Sequence, residues 1–241
     1  MPRVSRIPTL AWAAVTLLAA GTFASLGFWQ ADRAGQKQRW LDGYAAALVA
    51  EPVDISQALA AASQNLPVRV AGKFSLQQQP LLFLDGQQRE GRVGVRAYVL
   101  ADSDASATPL LVELGWLPFG HDRSLPIITV PQERRYLEGL LLPWPAQGLR
   151  LGENAWADAA QAQLLAYLDR DEITRATGVQ PYDGVLRPDP GVDLGGPVRD
   201  AMALPNTLTP DQHRGYALQW WGLSATVVVI YLVLALRRRK Q

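Results

Sequence analysis

The chain has 241 residues, 49% of them hydrophobic, and its 23 basic and 22 acidic side chains leave a formal net charge of +1. It contains no cysteine. That excludes a disulfide framework, thiol redox chemistry, a Cys-ligated zinc or copper site and covalent c-type haem attachment.

Residues 7–31 carry no charge, and neither do residues 215–236. Each run exceeds the roughly 20 residues needed to cross about 30 Å of hydrocarbon. The first could be read as a cleaved secretory signal, since Arg3 and Arg6 precede it. It is longer than a signal core, however, and ends in the interfacial anchors Phe28 and Trp29, so it reads as an uncleaved membrane helix. Beyond it, Trp29, Arg33, Lys37 and Trp40 recur at three- and four-residue spacing, so the same helix is expected to continue with these side chains on one face until Pro52. The segment 54–64 follows as a short helix capped by Asp54.

From Pro67 the pattern changes to period two. The segments 67–74, 80–86, 92–101, 109–118 and 134–143 read as strands of an antiparallel sheet or small barrel, with Val68 and Val70 inward and Arg69 outward. A loop is expected over 143–152, then one or two helices over 157–178 ended by Gly178. The stretch 184–210 is too rich in Pro and Gly for more than a short strand. The second apolar run then follows, closed by Arg237, Arg238, Arg239 and Lys240.

Basic residues flank both runs on their outer ends, so the positive-inside rule places both tails in the cytoplasm. The expected layout is a cytoplasmic tail (1–6), a membrane helix (7–31), a periplasmic α+β domain (32–214), a second membrane helix (215–236) and a basic cytoplasmic tail (237–241). Removing the six positive charges of the tails from the net +1 leaves −5 for the middle. That balance suits a translocated domain and argues against a nucleic-acid partner.

Catalytic templates are missing: the chain has no P-loop, G-x-S-x-G, H-E-x-x-H or G-x-G-x-x-G motif. The acidic clusters Asp102, Asp104 and Asp169, Asp171, Glu172 read as solvated turn or helix surface, and His121 as a surface histidine in a polar loop. The chain is not read as an enzyme. His213 stands apart. At 100° per residue it shares a stripe with Ala217, Trp220 and Ser224, with Tyr216 one step aside. An imidazole placed above a flat face at the membrane boundary suits an axial ligand of haem iron, and Arg33 and Lys37, at the same boundary, suit pairing with propionates. A histidine among Trp, Tyr and Arg is equally what an interfacial aromatic belt looks like.

Three blocks resemble the surfeit locus protein 1 (Surf/Shy) family of cytochrome c oxidase assembly factors. They are L-G-x-W-Q-x-x-R-x-x-x-K at Leu26, Gly27, Trp29, Gln30, Arg33 and Lys37; V-x-x-G-W-x-P at Val112, Gly115, Trp116 and Pro118; and H-x-x-Y-A-x-x-W at His213, Tyr216, Ala217 and Trp220. The resemblance implies a two-span inner-membrane protein that binds haem a transiently and helps deliver it to oxidase subunit I, with haem a synthase as a further partner. The family's haem-associated histidine falls on His213, and Trp29, Arg33, Lys37, Tyr216 and Trp220 become its supporting residues. One departure is Leu114, where the family usually has Arg. Two rivals follow: a haem-independent scaffold for subunit I, and an unrelated membrane-anchored sensor or structural protein.

Overall fold

The computed structural model describes residues 9–60, 66–78, 80–145, 153–156, 161–200 and 208–239. Arg3, Arg6, Lys240 and most of the expected loop at 143–152 lie outside them. In chain order the elements are α1 (Thr9–Val49), β1 (Val53–Asp54), α2 (Ile55–Ala60), β2 (Val68–Leu76), β3 (Leu81–Arg89), β4 (Arg92–Ser103), β5 (Ser106–Pro118), β6 (Arg135–Leu142), β7 (Ala162–Leu165), α3 (Arg170–Thr177), β8 (Val185–Pro188) and α4 (Pro210–Arg239). The fold is mixed α+β, with two helices long and apolar enough to cross a membrane bracketing an eight-stranded sheet domain in sequence. Two compact units emerge: residues 1–42 with 204–241, and residues 43–203.

In the first unit α1 and α4 pack antiparallel. Gln30 and His213, Phe23 and Trp220, and Ala20 and Ser224 meet in turn, so the contacts run in opposite directions along the two helices. On α1 the inward positions Ala20, Phe23, Gly27, Gln30 and Ala34 alternate steps of three and four, the seam of an antiparallel helix pair. At 41 residues α1 is roughly 60 Å long, twice a hydrocarbon core. It continues past the apolar run, as its sequence suggests.

In the second unit the period-two segments become β2 to β6. The strand order is β1-β2-β6-β8-β5-β4-β3-β7, and a further β2–β4 pairing through Phe74 to Leu76 closes β2, β6, β8, β5 and β4 into a ring. A small barrel therefore forms. Its inward residues, including Val70, Phe74, Val95, Val99, Val112, Leu114, Leu137 and Leu186, make one continuous core plugged by Ile55 and Ala58 of α2. The outer face of β3, β4, β5 and β8 carries a second cluster, Leu82, Leu100, Leu111 and Val185, covered by Ile173 of α3 and by Trp144 and Trp156.

Three readings of the sequence change. The sheet is not wholly antiparallel, because β1, β7 and β8 arrive through long connections and pair in parallel with β2, β3 and β5. The helix expected over 157–178 keeps only Arg170–Thr177. Ala162–Leu165 is a strand, and 157–160 lie outside the described residues. Pairing with the open edge of β3, which buries Gln163 and Leu165, overrides the helical propensity of Ala, Gln and Leu there. In the acidic group at 169–172, Asp171 is exposed as expected, but Asp169 and Glu172 are buried. Asp169 caps α3 by accepting from the Asp171 and Glu172 backbones, and Glu172 is buried, taking hydrogen bonds from Asn154 and Tyr167 at 2.6 and 2.8 Å.

Candidate functional site

The start of α4 is set by a reciprocal cap. Thr209 Oγ1 accepts from the Gln212 backbone at 3.2 Å, Gln212 Oε1 accepts from the Thr209 backbone at 2.8 Å, and Pro210 takes the first helical position. This places His213 in the first turn, half-buried. Its Nδ1 meets Gln30 Oε1 of α1 at 2.7 Å. An amide oxygen facing Nδ1 selects the imidazole tautomer with the proton on Nδ1, which leaves the Nε2 lone pair for a metal. A second group that fixes ring orientation in this way is what ligating histidines usually have.

Below His213 the stripe faces α1. Ala217 is buried, Trp220 stacks on Phe23 with ring centroids 5.7 Å apart, and Ser224 Oγ donates to the Ala20 carbonyl at 2.9 Å. The flat face expected for a haem edge is thus covered by the first helix. Gly27 makes this approach possible: a Cβ there would sit 2.3 Å from Trp221 Nε1. Tyr216 and Trp29 are largely exposed. The Arg33 guanidinium lies 6.0 Å from the Trp29 ring centroid and donates to Gln36, and Lys37 sits 5.5 Å from the Trp40 ring. Of the six expected site residues, the structure places His213 and Trp220 against α1, and Trp29, Arg33, Lys37 and Tyr216 elsewhere on the two helices. Gln30 is the partner that sequence reasoning missed; its signal was its place in the first-helix block, three residues before Arg33.

A cavity of about 250 Å³ between the helices is lined by Trp12, Thr16, Val227, Ile230, Tyr231 and Leu234. It is roughly 27 Å along α4 from His213, so it is not a pocket for that imidazole.

The second unit holds a buried charged cluster on the outer face of its barrel. Tyr98 and Glu113 pair directly across β4 and β5, and Arg187 of β8 donates to Glu113 Oε2 from Nε and Nη2, both at 3.0 Å. Arg187 Nη1 donates to the Tyr44 hydroxyl at 3.0 Å, and Arg96 Nη1 lies 3.6 Å from Glu113 Oε2. Burial, then the charge of Glu113, pushes the Tyr98 phenol above its ordinary value. Burial works against the Arg187 charge, but Glu113 and Tyr44 outweigh it and hold the guanidinium firmly protonated.

The block around Trp116 serves this architecture. Gly115 has φ +132, a conformation that L side chains rarely adopt, and Pro197, Val198 and Arg199 all come within 3 Å of where its Cβ would be. Trp116 exchanges two backbone hydrogen bonds with Val198, and its ring nitrogen donates to the Gln87 carbonyl at 2.9 Å. Leu114 is fully buried in the barrel core, and its carbonyl accepts from Arg199 at 2.6 Å. His121 is exposed in a short 3-10 turn, and Asp102 and Asp104 are exposed with Gln77 and Arg134 as partners. No group of three or more His, Asp or Glu that could hold a metal occurs among the described residues.

The SURF1 family model matches residues 17–225 of the chain. No curated protein matches the chain. The matched span contains all three sequence blocks, both helix faces that meet at His213 and Gln30, and the whole barrel.

Proposed function

The chain belongs to the SURF1 family and so serves cytochrome c oxidase assembly, and from that premise we propose that it holds haem a on His213 and passes it toward oxidase subunit I. The observation that carries the reading is the 2.7 Å contact between His213 Nδ1 and Gln30 Oε1, which frees Nε2 and aims the ring. A single histidine gives reversible affinity, so cargo can move to a receiving site that offers more ligands. Haem a synthase fits as donor and subunit I as acceptor. The chain acts as a carrier, not an enzyme. It lies in the bacterial inner membrane with both termini cytoplasmic and the barrel periplasmic, the orientation that the basic tails favour.

One observation favours the rival reading of a haem-free scaffold: Trp220 and Ala217, the surface on which a porphyrin edge would rest, are packed against α1. Absorption spectra decide between the two. The protein is expressed in a host that makes haem a, purified in mild detergent and recorded oxidised and reduced. The carrier reading expects a haem a spectrum that is lost in His213→Ala and an affinity reduced about 10- to 100-fold in Gln30→Ala. Haem-free wild-type protein from membranes that contain haem a would overturn the carrier reading and favour the scaffold.

A further inference from the structure

We propose that Arg96 and Arg199, on the outer face of the barrel, form a binding site for a carboxylate. The Arg187 and Arg96 guanidinium groups lie 3.0 and 3.6 Å from the Glu113 carboxylate and Arg199 is drawn by its charge and by that of Asp193, while Asp200 is engaged by Arg89 at 2.9 Å, so four guanidinium groups meet three carboxylates. Among the described residues the cluster is therefore rich in positive charge. Two of its donors have no partner there: the Nε atoms of Arg96 and Arg199 are both buried and hydrogen-bonded to nothing. Arg199 is 8% exposed, and burial lowers its pKa against the pull of Glu113 and Asp193. A buried cation with an unmade hydrogen bond is costly, and an arriving anion removes that cost.

Both arginines border the Gly115–Trp116 step of β5. Arg96 stands directly opposite Trp116 across β4 and β5, and the Arg199 stem lies over Gly115, its Cγ 2.9 Å from the place of a Cβ. The Nη1 of Arg199 is tied to the Leu114 carbonyl, which fixes the guanidinium plane. The Arg96 side chain keeps 19% exposure and so supplies the way in. A guanidinium edge offers two parallel N–H donors, the match of a planar carboxylate. Such a group can come from a porphyrin propionate or from an Asp or Glu of a protein partner.

The test is thermal unfolding of the full chain in detergent, with sodium propionate against sodium chloride at equal ionic strength, for wild type, Arg96→Gln and Arg199→Gln. Propionate at ten times its Kd raises the wild-type Tm by about 3 °C over chloride, and each variant loses the difference. If Arg199→Gln fails to fold, Arg96→Gln decides alone, since the readout compares two salts on one protein. Equal shifts in both salts, a shift retained by Arg96→Gln, or a larger shift with inorganic phosphate would overturn the assignment. Iron-free protoporphyrin IX and its dimethyl ester then separate the sources. Preference for the diacid, lost in Arg96→Gln, points to a porphyrin, and displacement of propionate by hexaglutamate points to a protein. Because neither probe contains iron, His213→Ala leaves the propionate shift intact, and failure here is distinct from failure of the haem reading.

Discussion

In the helix pair, polarity enters the interface as isolated side chains, Ser224 on a carbonyl and His213 on Gln30, set among small and aromatic residues. In the barrel it enters as a cluster, with Glu113 holding Arg187 and Arg96 while Arg187 reaches Tyr44. The first arrangement suits a hydrocarbon surround, where close packing at small residues supplies the association and one hydrogen bond adds orientation. The second draws buried charges of opposite sign together, because a buried charge is costly unless another meets it, and it still leaves the Nε atoms of Arg96 and Arg199 without a partner. The contrast teaches where each region is fragile: the helices at a contact distance, the barrel at a charge.

The largest effect is expected from Glu113→Gln, which leaves buried guanidinium groups without their carboxylate. A loss of about 3–5 kcal/mol, read as a lowered Tm, is the expectation. Replacing Glu113 and Arg187 together with Leu and Met restores part of it, because the exchanged pair is nearly neutral but Arg96 stays without its carboxylate. A double variant no better than the single one would mean that the cluster does not act as a pair.

Next comes Gly27→Leu, which drives a side chain into Trp221 at a cost of about 1–3 kcal/mol. The native chain has no cysteine. Disulfide formation between Ala20→Cys and Ser224→Cys therefore reports the helix pair alone, and it should be efficient in wild-type background and reduced by Gly27→Leu. Unchanged cross-linking would show that the helices meet by another face.

The smallest effect concerns acid. Burial pushes the Glu172 carboxyl up, but hydrogen bonds from Tyr167, Asn154 and Trp156 outweigh it and hold it below the usual carboxylate range; the hydrogen bond from Arg89 does the same for Asp200. A depressed folded pKa contributes stability that is present above the unfolded value, about pH 4, and lost as pH falls through the folded one. Stability should therefore decline on acidification from about pH 5 to pH 3, and Glu172→Gln should flatten that slope. An identical slope in the variant would remove Glu172 from the account.

How much was legible depends on sequence separation. The stripe His213, Ala217, Trp220, Ser224 is written in steps of four and three along one helix, and the structure keeps those residues on one face. What it faces was not legible, because the choice between a ligand and a second helix is made by Gln30, Phe23 and Ala20, about 200 positions away. Strands β2 to β6 announce themselves by alternation. Strand β7 does not, because its strand character comes from the β3 edge. The Glu113–Arg187 pair spans 74 positions and Arg187–Tyr44 spans 143, so no local pattern could signal either.

By itself, then, the sequence determined two apolar helices, a period-two domain between them, the family blocks and the imidazole in the first turn of α4, since each rests on spacing within one element. Only the tertiary structure decided that the sheet closes into a barrel, that Gln30 meets His213, and that arginines from β4 and β8 gather around one glutamate. Closure, pairing and the burial of charge are settled by which distant segments exclude water from one another, and that information resides in no single stretch of chain.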